Sequence, residues 1–289
     1  MEKNPFSLFD FLGYFIPGSF ALFLVYFLQN QDGLQFYFRR GNIETLKTDI
    51  SIIYMTFFII LAYTLGHILS FLSTLTIENF TIWKFGYPSK NLLGIYSTNR
   101  YFQRKCRYPP AVDWIPTILS FILRLLLGAF LAPISLSSIS IGKMLDLNRS
   151  VYTKKLGEPY VSLIKTKIID RFRLLDPTLT IDFTNHDYNK LLIHHSYDVN
   201  ASHQSKLMNY VALYGFLRVT CFILNILTLY MLLYICWHFP EEFTIELHKS
   251  LSAEFVIFLV SGFMTYVCYL GYLKFYRRYS QENLMIMLL

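Results

Sequence analysis

Charged residues are scarce in this sequence, and that scarcity argues against a large soluble protein. Asp, Glu, Lys and Arg make up 16% of the 289 residues, whereas soluble domains average about 25%. The hydrophobic residues, at 54%, are gathered in long blocks rather than spread evenly along the chain. Such blocks are typical of helices that cross a bilayer. The sequence therefore predicts an all-α, polytopic membrane protein.

Cysteines and catalytic signatures are also sparse. The four cysteines are far apart in the chain, which gives no sign of a zinc site or a disulfide framework. The sequence lacks a phosphate-binding loop and a Gly-x-Ser-x-Gly motif, and spacing singles out no Ser-His-Asp or Cys-His arrangement. We therefore expect no cofactor and favour a non-enzymatic protein. An intramembrane enzyme, built from residues on separate helices, stays open as a third function class.

Four apolar blocks are long enough to cross a membrane as helices at about 1.5 Å per residue. They cover residues 6–28, 52–77, 219–239 and 255–273. The first is interpreted as a retained span, because no small-x-small cleavage site follows it. A fifth block, residues 114–141, contains an arginine and is interrupted by Pro and Gly. One kinked span or a re-entrant hairpin fits its length, so we predict four to five transmembrane helices.

The blocks divide the chain into five segments: a first transmembrane hairpin (1–77), a basic cytoplasmic loop (78–113), the kinked span or re-entrant hairpin (114–141), a helical cytoplasmic region (142–208), and a second transmembrane hairpin with a basic tail (209–289). The loop has six Lys or Arg and the helical region has ten. Because such residues accumulate in the cytoplasm, we predict a multi-pass protein with both termini cytoplasmic. Five spans, with 142–208 outside, is the alternative.

A few polar side chains are predicted to lie within the membrane or at its boundary: Asp10, His67, Glu78, Arg124, Arg218 and Asn225. A charged group at that depth is costly and is usually paired inside the bundle. In the favoured topology Asp10, Glu78 and Arg218 share the cytoplasmic boundary. We therefore predict that Arg218 pairs with Asp10 or Glu78; separate snorkelling to headgroups is the alternative.

The segment Val161–Leu175 has the pattern of a basic amphipathic helix. Apolar residues recur at three- and four-residue steps and should share one face; they are Leu163, Ile164, Ile168, Phe172 and Leu175. We predict that this helix lies on the cytoplasmic leaflet or against the base of the bundle. The basic residues predicted to face anionic lipid headgroups are Lys165, Lys167, Arg171, Arg173, Lys274, Arg277 and Arg278.

Four histidines cluster in the helical region: His186, His194, His195 and His203. Histidine with carboxylate is a metal-binding combination, but none of these spacings matches a metal signature such as His-Glu-x-x-His. A solvated polar segment explains them as well, so no metal is expected. The net charge of +7 is explained by anionic lipid, and nucleic acid is not an expected partner.

Three motifs are familiar: Phe9-Asp10-Phe11-Leu12-Gly13-Tyr14-Phe15-Ile16-Pro17-Gly18, Asn209-Tyr210-Val211-Ala212-Leu213-Tyr214-Gly215-Phe216-Leu217-Arg218, and Lys274-Phe275-Tyr276-Arg277-Arg278-Tyr279-Ser280. With Gly86-Tyr87-Pro88-Ser89, they resemble a group of uncharacterised bacterial polytopic membrane proteins. This resemblance implies a location in the inner membrane of a bacterium, and it implies no catalytic residues. Membrane proteins of this size also resemble effectors of bacterial phage-defence systems, an analogy at the level of architecture.

Two function classes are favoured over an intramembrane enzyme. The first is a non-enzymatic scaffold or membrane effector, acting as a homo-oligomer or with a cytoplasmic protein partner. The second is a transporter or channel for ions or small solutes, suggested by His67, Arg124 and the broken block 114–141.

Overall fold

The computed structural model describes residues 10–29, 52–95, 114–147, 149–175, 177–178, 183, 192–195, 201–238 and 247–288. Throughout these residues the regular elements are helices, with no strand. Four helices are long and apolar enough to cross a membrane. The prediction of a helical, multi-pass membrane protein is therefore confirmed.

The first half of the chain forms a membrane hairpin followed by short helices. Helix α1 is Ile16–Gln29 and α2 is Ile52–Ser73, while α3 (Asn79–Phe85) and α4 (Pro88–Leu92) extend the second arm. Most described side chains of α2 are apolar and exposed. Helix α1 exposes Phe23, Val25 and Tyr26, and most of its other side chains are half-buried or buried. Such surfaces are stable against lipid.

Block 114–141 is bent. Helix α5 (Trp114–Phe130) and helix α6 (Ala132–Ile139) meet at Leu131, and a short α7 (Ile141–Met144) follows. The helices on the two sides of Leu131 are bent by 80°. Pro133 lies in the first turn of α6, where its missing N–H costs nothing, and it favours a new helix start over continuation of the old one. We call residues 114–144 the elbow.

The second half contains α8 (Glu158–Leu175), α9 (Ala201–His238) and α10 (Leu247–Ile286). Helices α9 and α10 have 38 and 40 residues, which is about 57 and 60 Å of helix. The hydrocarbon core of a bilayer is only about 30 Å thick. Each helix therefore extends well beyond its predicted span.

The extensions of α9 and α10 pack with α3, α4 and α8. We call this region the polar end; it comprises α3, α4, α8, α9 as far as Arg218, and α10 from Lys274 onward. Lys206 and Glu282 join α9 to α10 there through an ion pair with an N–O distance of 2.9 Å. The main hydrophobic core lies just beside it, where the end of α2 meets α6, α9 and α10. The polar end thus continues the membrane bundle.

Small residues bring α1 and α2 into backbone contact. A Cβ built on Gly18 would lie 1.8 Å from the carbonyl oxygen of Ala62, and one on Gly66 would lie 1.9 Å from that of Tyr14. No side chain fits in such a gap, so both glycines are required by the crossing. Close approach at small residues is a common basis of helix association in lipid.

The segment 78–113, predicted as a basic cytoplasmic loop, contains two short helices among its described residues. Its first part is helical, and Phe80, Leu92 and Leu93 are buried in it. The turn expected at Gly86–Ser89 is real, with Gly86 at a φ of 79° and Pro88 beginning α4. Because Lys84 and Lys90 alternate with buried positions, the sequence pattern did not indicate that this segment has an apolar face. Residues 96–113 lie outside the described residues.

Helix α8 forms as predicted, but its apolar face is rotated. Val161, Ile164, Ile168 and Phe172 are buried, whereas Leu163 is 48% exposed and belongs to the outer face. The spacing of three, four and four residues from Val161 follows the helical repeat better than a set beginning at Leu163. The face packs against α4 and the end of α10, so the helix lies against the base of the bundle.

Candidate functional site

An ion pair lies where α2, α9 and α10 meet. The guanidinium of Arg218 pairs through its Nη1 with the Glu78 carboxylate, and its Nε donates to Ser73 Oγ at 3.2 Å. Arg218 is 8% exposed. The pairing predicted between Arg218 and Glu78 is therefore present. It ties the first membrane hairpin to the second, because the two residues are far apart in sequence.

Three π-helical turns occur among the described residues, and one of them carries an acid of this ion pair. They are Phe11–Phe15, Thr74–Glu78 and Arg149–Thr153. The second contains Glu78 itself; the first and third place Tyr14 and Tyr152 within electrostatic range of Arg218 and Glu78, respectively. A π-helical turn shifts the register of side chains and is often found at functional sites. Spacing rules assume a regular helix, so the sequence did not predict these turns.

Buried tyrosines of the third π-helical turn and of α10 pack together beside α3. Tyr152 Oη donates to the Gly86 carbonyl at 3.0 Å, and Tyr269 Oη lies 3.1 Å from Thr81 Oγ1. Burial raises the pKa of the Tyr152 hydroxyl well above its usual range, so it stays neutral. Tyr272 Oη is buried and finds no hydrogen-bond partner among the described residues. Sequence reasoning missed this cluster, although tyrosine is abundant, at 22 residues.

His67, a predicted membrane-depth candidate, lies on the outer side of α2. Its ring stacks on Tyr14 with centroids 3.8 Å apart, and Tyr63 meets it edge-on at 4.6 Å. The imidazole thus belongs to a surface aromatic group next to the α1–α2 crossing. Asp10 lies near the same tyrosine.

Asn225 supports the bend of the elbow. Its side chain is fully buried, and Nδ2 donates to the Phe130 carbonyl at 2.9 Å. Phe130 is the last residue of α5, and the last carbonyls of a helix lack partners within it. The amide therefore satisfies a backbone group exposed by the break. Asn225 Oδ1 has no partner among the described residues.

The two arms of the elbow are both held by α3. The Arg124 guanidinium on α5 lies 5.3 Å from the Trp83 ring centroid, and the Lys84 ammonium donates to Ser138 Oγ on α6 at 2.9 Å. Arg124 and Ser138 are fourteen residues apart, about 21 Å along a straight helix. The bend at Leu131 lets both reach neighbouring residues of α3.

Small hydroxyl groups line the contact between α9 and α10. Thr228 Oγ1 donates to Ser261 Oγ at 3.1 Å and lies 3.4 Å from Thr265 Oγ1. Cys221 Sγ lies 3.4 Å from the Thr265 carbonyl oxygen. Bonds of this kind between transmembrane helices contribute about 0.6 kcal/mol on average. These contacts contribute to the stability of the α9–α10 pair.

The basic residues predicted to face lipid divide into two groups. Lys167, Arg171, Arg173, Lys274 and Arg278 are exposed. Lys165 and Arg277 are half-buried: Lys165 lies 5.8 Å from the Phe183 ring, and Arg277 donates to the Lys154 carbonyl at 2.9 Å. For these two the structure shows protein contacts instead.

Within the described part of the chain, no group of three or more His, Cys, Asp or Glu is arranged to hold a metal ion. His194 is exposed and His195 is half-buried. His186 and the side chain of His203 lie outside the described residues.

Comparison of this chain with family models, with curated proteins and with solved structures finds no match. The candidate site is therefore described by its geometry alone: a buried ion pair that joins two hairpins, and an apolar elbow attached beside it.

Proposed function

We propose that this protein is a non-enzymatic membrane effector that disturbs one leaflet of a bacterial inner membrane through its elbow. The observation that supports this most directly is the surface of α5. Seven consecutive or nearly consecutive apolar side chains on it are at least 47% exposed: Ile118, Leu119, Phe121, Ile122, Leu123, Leu125 and Leu126. A helix that is apolar on nearly every side requires lipid or protein around it.

The position of the bend suits insertion into one leaflet. Phe130, at the bend, contacts Phe222 and Asn225 on α9. Asn225 lies seven residues beyond Arg218, which is about 10 Å along the helix. With Arg218 at the membrane boundary, the bend reaches about a third of the way across a 30 Å core. The elbow is then re-entrant.

A re-entrant apolar wedge occupies area in one leaflet without occupying it in the other. Lipids next to it must tilt or thin, at a modest cost for each ångström of mismatch. Several copies close together multiply this strain, and so we propose that the active form is a homo-oligomer. The ion pair keeps the rest of the bundle rigid, so that strain falls on the bilayer rather than on the protein.

Dye release from liposomes tests this function. We expect purified protein in anionic vesicles to release a trapped fluorescent dye. Leu119→Ser/Leu123→Ser/Leu126→Ser, on one face of α5, should release severalfold less, because its wedge is polar. The matched variant with Met at the same three positions keeps the face apolar and should behave as the parent. Equal release by the Ser and Met variants would reject the elbow as the active part.

The proposed topology has both termini, residues 78–113 and residues 142–208 in the cytoplasm. It rests on the distribution of Lys and Arg and on the re-entrant elbow. A reporter that is active only outside the cytoplasm, fused after Leu289, should give no signal. Strong activity there would reverse the orientation.

By architectural analogy alone, we propose that such an effector serves in phage defence, through a cytoplasmic partner that triggers it. Bacteria expressing the parent chain should form fewer phage plaques than bacteria expressing the triple Ser variant. Equal plaque counts would remove this role and leave the membrane activity standing.

A transporter or channel is the alternative function, and Asn225 is the observation that favours it. A broken helix with a buried, half-satisfied amide beside it resembles the discontinuous helices that bind ions in transporters. In that case the liposomes should pass small ions while retaining the larger dye, and Asn225→Leu should abolish the ion flux.

A further inference from the structure

The bend of the elbow interrupts the backbone hydrogen bonds at the end of α5. Pro133 has no N–H, so the carbonyl of Ala129, four residues earlier, has no helical donor. The Phe130 carbonyl accepts instead from the Asn225 side chain at 2.9 Å. The C-terminal end of a helix carries about half a negative charge, spread over such carbonyls. The last turn of α5 is therefore an electronegative group of oxygens at the bend.

The side-chain oxygen of Asn225 lies beside these carbonyls. Asn225 is fully buried, and its Oδ1 has no hydrogen-bond partner among the described residues. Oδ1 and Nδ2 belong to one planar amide, and the bond from Nδ2 to the Phe130 carbonyl fixes the orientation of both atoms. The opposite orientation of the amide would set two oxygens against each other. Because a buried acceptor without a partner is destabilising, Oδ1 requires a proton donor or a cation.

The surroundings of the bend are apolar, and there is space beside the last turn of α5. A Cβ built on Gly128 meets nothing within 4 Å outside its own turn of helix. Leu131 and Ile134 are fully buried, and the Phe222 ring packs on Phe130 with centroids 5.8 Å apart. In an apolar environment an ion loses its hydration shell, and protein oxygens must replace that shell, as carbonyls do in selectivity filters.

The kind of ion follows from the ligands. Backbone and amide carbonyls are neutral, whereas divalent cations are usually bound through at least one carboxylate. The described contacts of Asn225 include no carboxylate. The cations held on the two arms, Arg124 and the Lys84 ammonium at Ser138, are about 10 Å from Leu131 along the helices. Their repulsion is a further reason to expect an ion with a single positive charge.

We propose that the bend of the elbow is a binding site for one monovalent cation, Na⁺ or K⁺, whose ligands are Asn225 Oδ1 and the carbonyl oxygens of the last turn of α5. Helices that are broken within the membrane coordinate such ions at their C-terminal ends in transporters. In naming the ion, this site rests on the alternative function described above, a transporter or channel. Binding is nevertheless separate from transport and from dye release, and it is measured separately.

Binding of radioactive ions tests the site directly. The full chain, in detergent micelles on scintillation beads, is titrated with radioactive sodium and, in parallel, with radioactive rubidium as an analogue of potassium. Choline chloride keeps the ionic strength constant. We expect saturable binding of at least one of the two ions, displaced by unlabelled Na⁺ or K⁺ but not by choline, and the stronger competitor identifies the preferred ion. The absence of saturable binding for both ions would overturn the proposal.

Substitutions at Asn225 assign the binding to its side chain. Asn225→Leu removes the amide oxygen and should weaken binding severalfold. Asn225→Asp supplies a charged oxygen and should bind severalfold more tightly, a gain that misfolding cannot produce. The matched control is Thr228→Val, which removes a buried hydroxyl one turn further along α9 and should bind as the parent does. Equal losses in Asn225→Leu and Thr228→Val, or weaker binding in Asn225→Asp, would overturn the site.

The carbonyl ligands are tested through Pro133. Pro133→Ala supplies the missing N–H, which can donate to the Ala129 carbonyl and compete with the ion. Binding should weaken severalfold, whereas Pro116→Ala, near the start of α5, should leave it unchanged. Unchanged binding in Pro133→Ala would overturn the assignment of the carbonyls.

Ion flux through liposomes, measured on the same preparations, separates the site from the alternative function. Saturable binding without flux would support the site and reject a transporter or channel. Flux without saturable binding would overturn the site and leave the alternative function standing.

Discussion

The polar end and the elbow differ in what their apolar side chains contact. At the polar end and along the α9–α10 pair, side chains contact one another, and 39% of the most apolar stretch of α9 is buried. In α5 nearly every described apolar side chain faces outward, and α2 buries only 17% of its corresponding stretch. Contacts within the protein stabilise the polar end and the α9–α10 pair, whereas the apolar side chains of the elbow require lipid or another protein around them. Mutations should therefore affect stability in the first and membrane behaviour in the second.

The largest effect is expected at the ion pair. Arg218→Ala leaves the Glu78 carboxylate without its partner in a largely buried position, so the free energy of unfolding should fall by about 3–5 kcal/mol. Unfolding of the protein in mixed micelles by a denaturing detergent measures this. Arg278→Ala, an exposed arginine on α10, is the control and should be nearly neutral. A double-mutant cycle with Glu78→Gln should show strong coupling; coupling below about 0.3 kcal/mol would mean that the two residues act separately.

The next effect is expected where α1 crosses α2. Gly66→Ala places a Cβ against the Tyr14 carbonyl, and the helices must separate, at a cost of about 1–3 kcal/mol. The matched control is Gly215→Ala in α9, where a Cβ meets nothing within 4 Å. There the better helix propensity of Ala should stabilise by roughly 0.5–1 kcal/mol. Equal effects at the two glycines would contradict the crossing.

A smaller loss of stability is expected at Asn225, the residue of α9 that contacts the bend of the elbow. Asn225→Leu leaves the Phe130 carbonyl without a side-chain donor, but it also removes the unsatisfied Asn225 Oδ1. The net loss should be about 1 kcal/mol, at the lower end for an unpaired buried group. Thr228→Val, which removes a hydroxyl contact between α9 and α10, should cost about 0.6 kcal/mol. A loss above 3 kcal/mol for Asn225→Leu would show that the bend itself is essential for folding.

The smallest effect on stability is expected in the elbow. Leu123 is 57% exposed, so Leu123→Ser should change the free energy of unfolding in micelles by no more than about 0.5 kcal/mol. The same variant should reduce dye release from liposomes. A stability loss as large as that expected for Gly66→Ala would show that Leu123 is packed within the protein and would remove the distinction between the two regions.

Several features were predictable because they depend on local pattern. The apolar blocks, the amphipathic α8 and the turn near Gly86 each follow from residues close in sequence. The pairing of Arg218 with Glu78 followed from a shared depth, since both residues adjoin apolar blocks that end at the same boundary. Leu163 was misplaced because several registers of a helix explain one short pattern of apolar residues.

Other features required contacts that sequence spacing does not show. The tyrosine cluster brings Tyr152 of a π-helical turn together with Tyr269 and Tyr272 of α10, far along the chain. The apolar face of residues 79–93 was not expected, because their basic residues alternate with core positions. The fifth block was left open between a kinked span and a hairpin. Only the neighbours of its two arms, Trp83 and Lys84, show that both reach the same helix.

The sequence by itself determined that this protein is helical and embedded in a membrane. Those properties are set by composition, since long apolar blocks with few charges leave backbone groups no alternative to helical hydrogen bonds in lipid. The tertiary structure decided which charges meet and where the fifth block turns. These depend on the closeness of residues far apart in the chain: Glu78 finds Arg218, and Asn225 caps the carbonyl that the bend exposes. The energy of such contacts comes from partners rather than from local sequence.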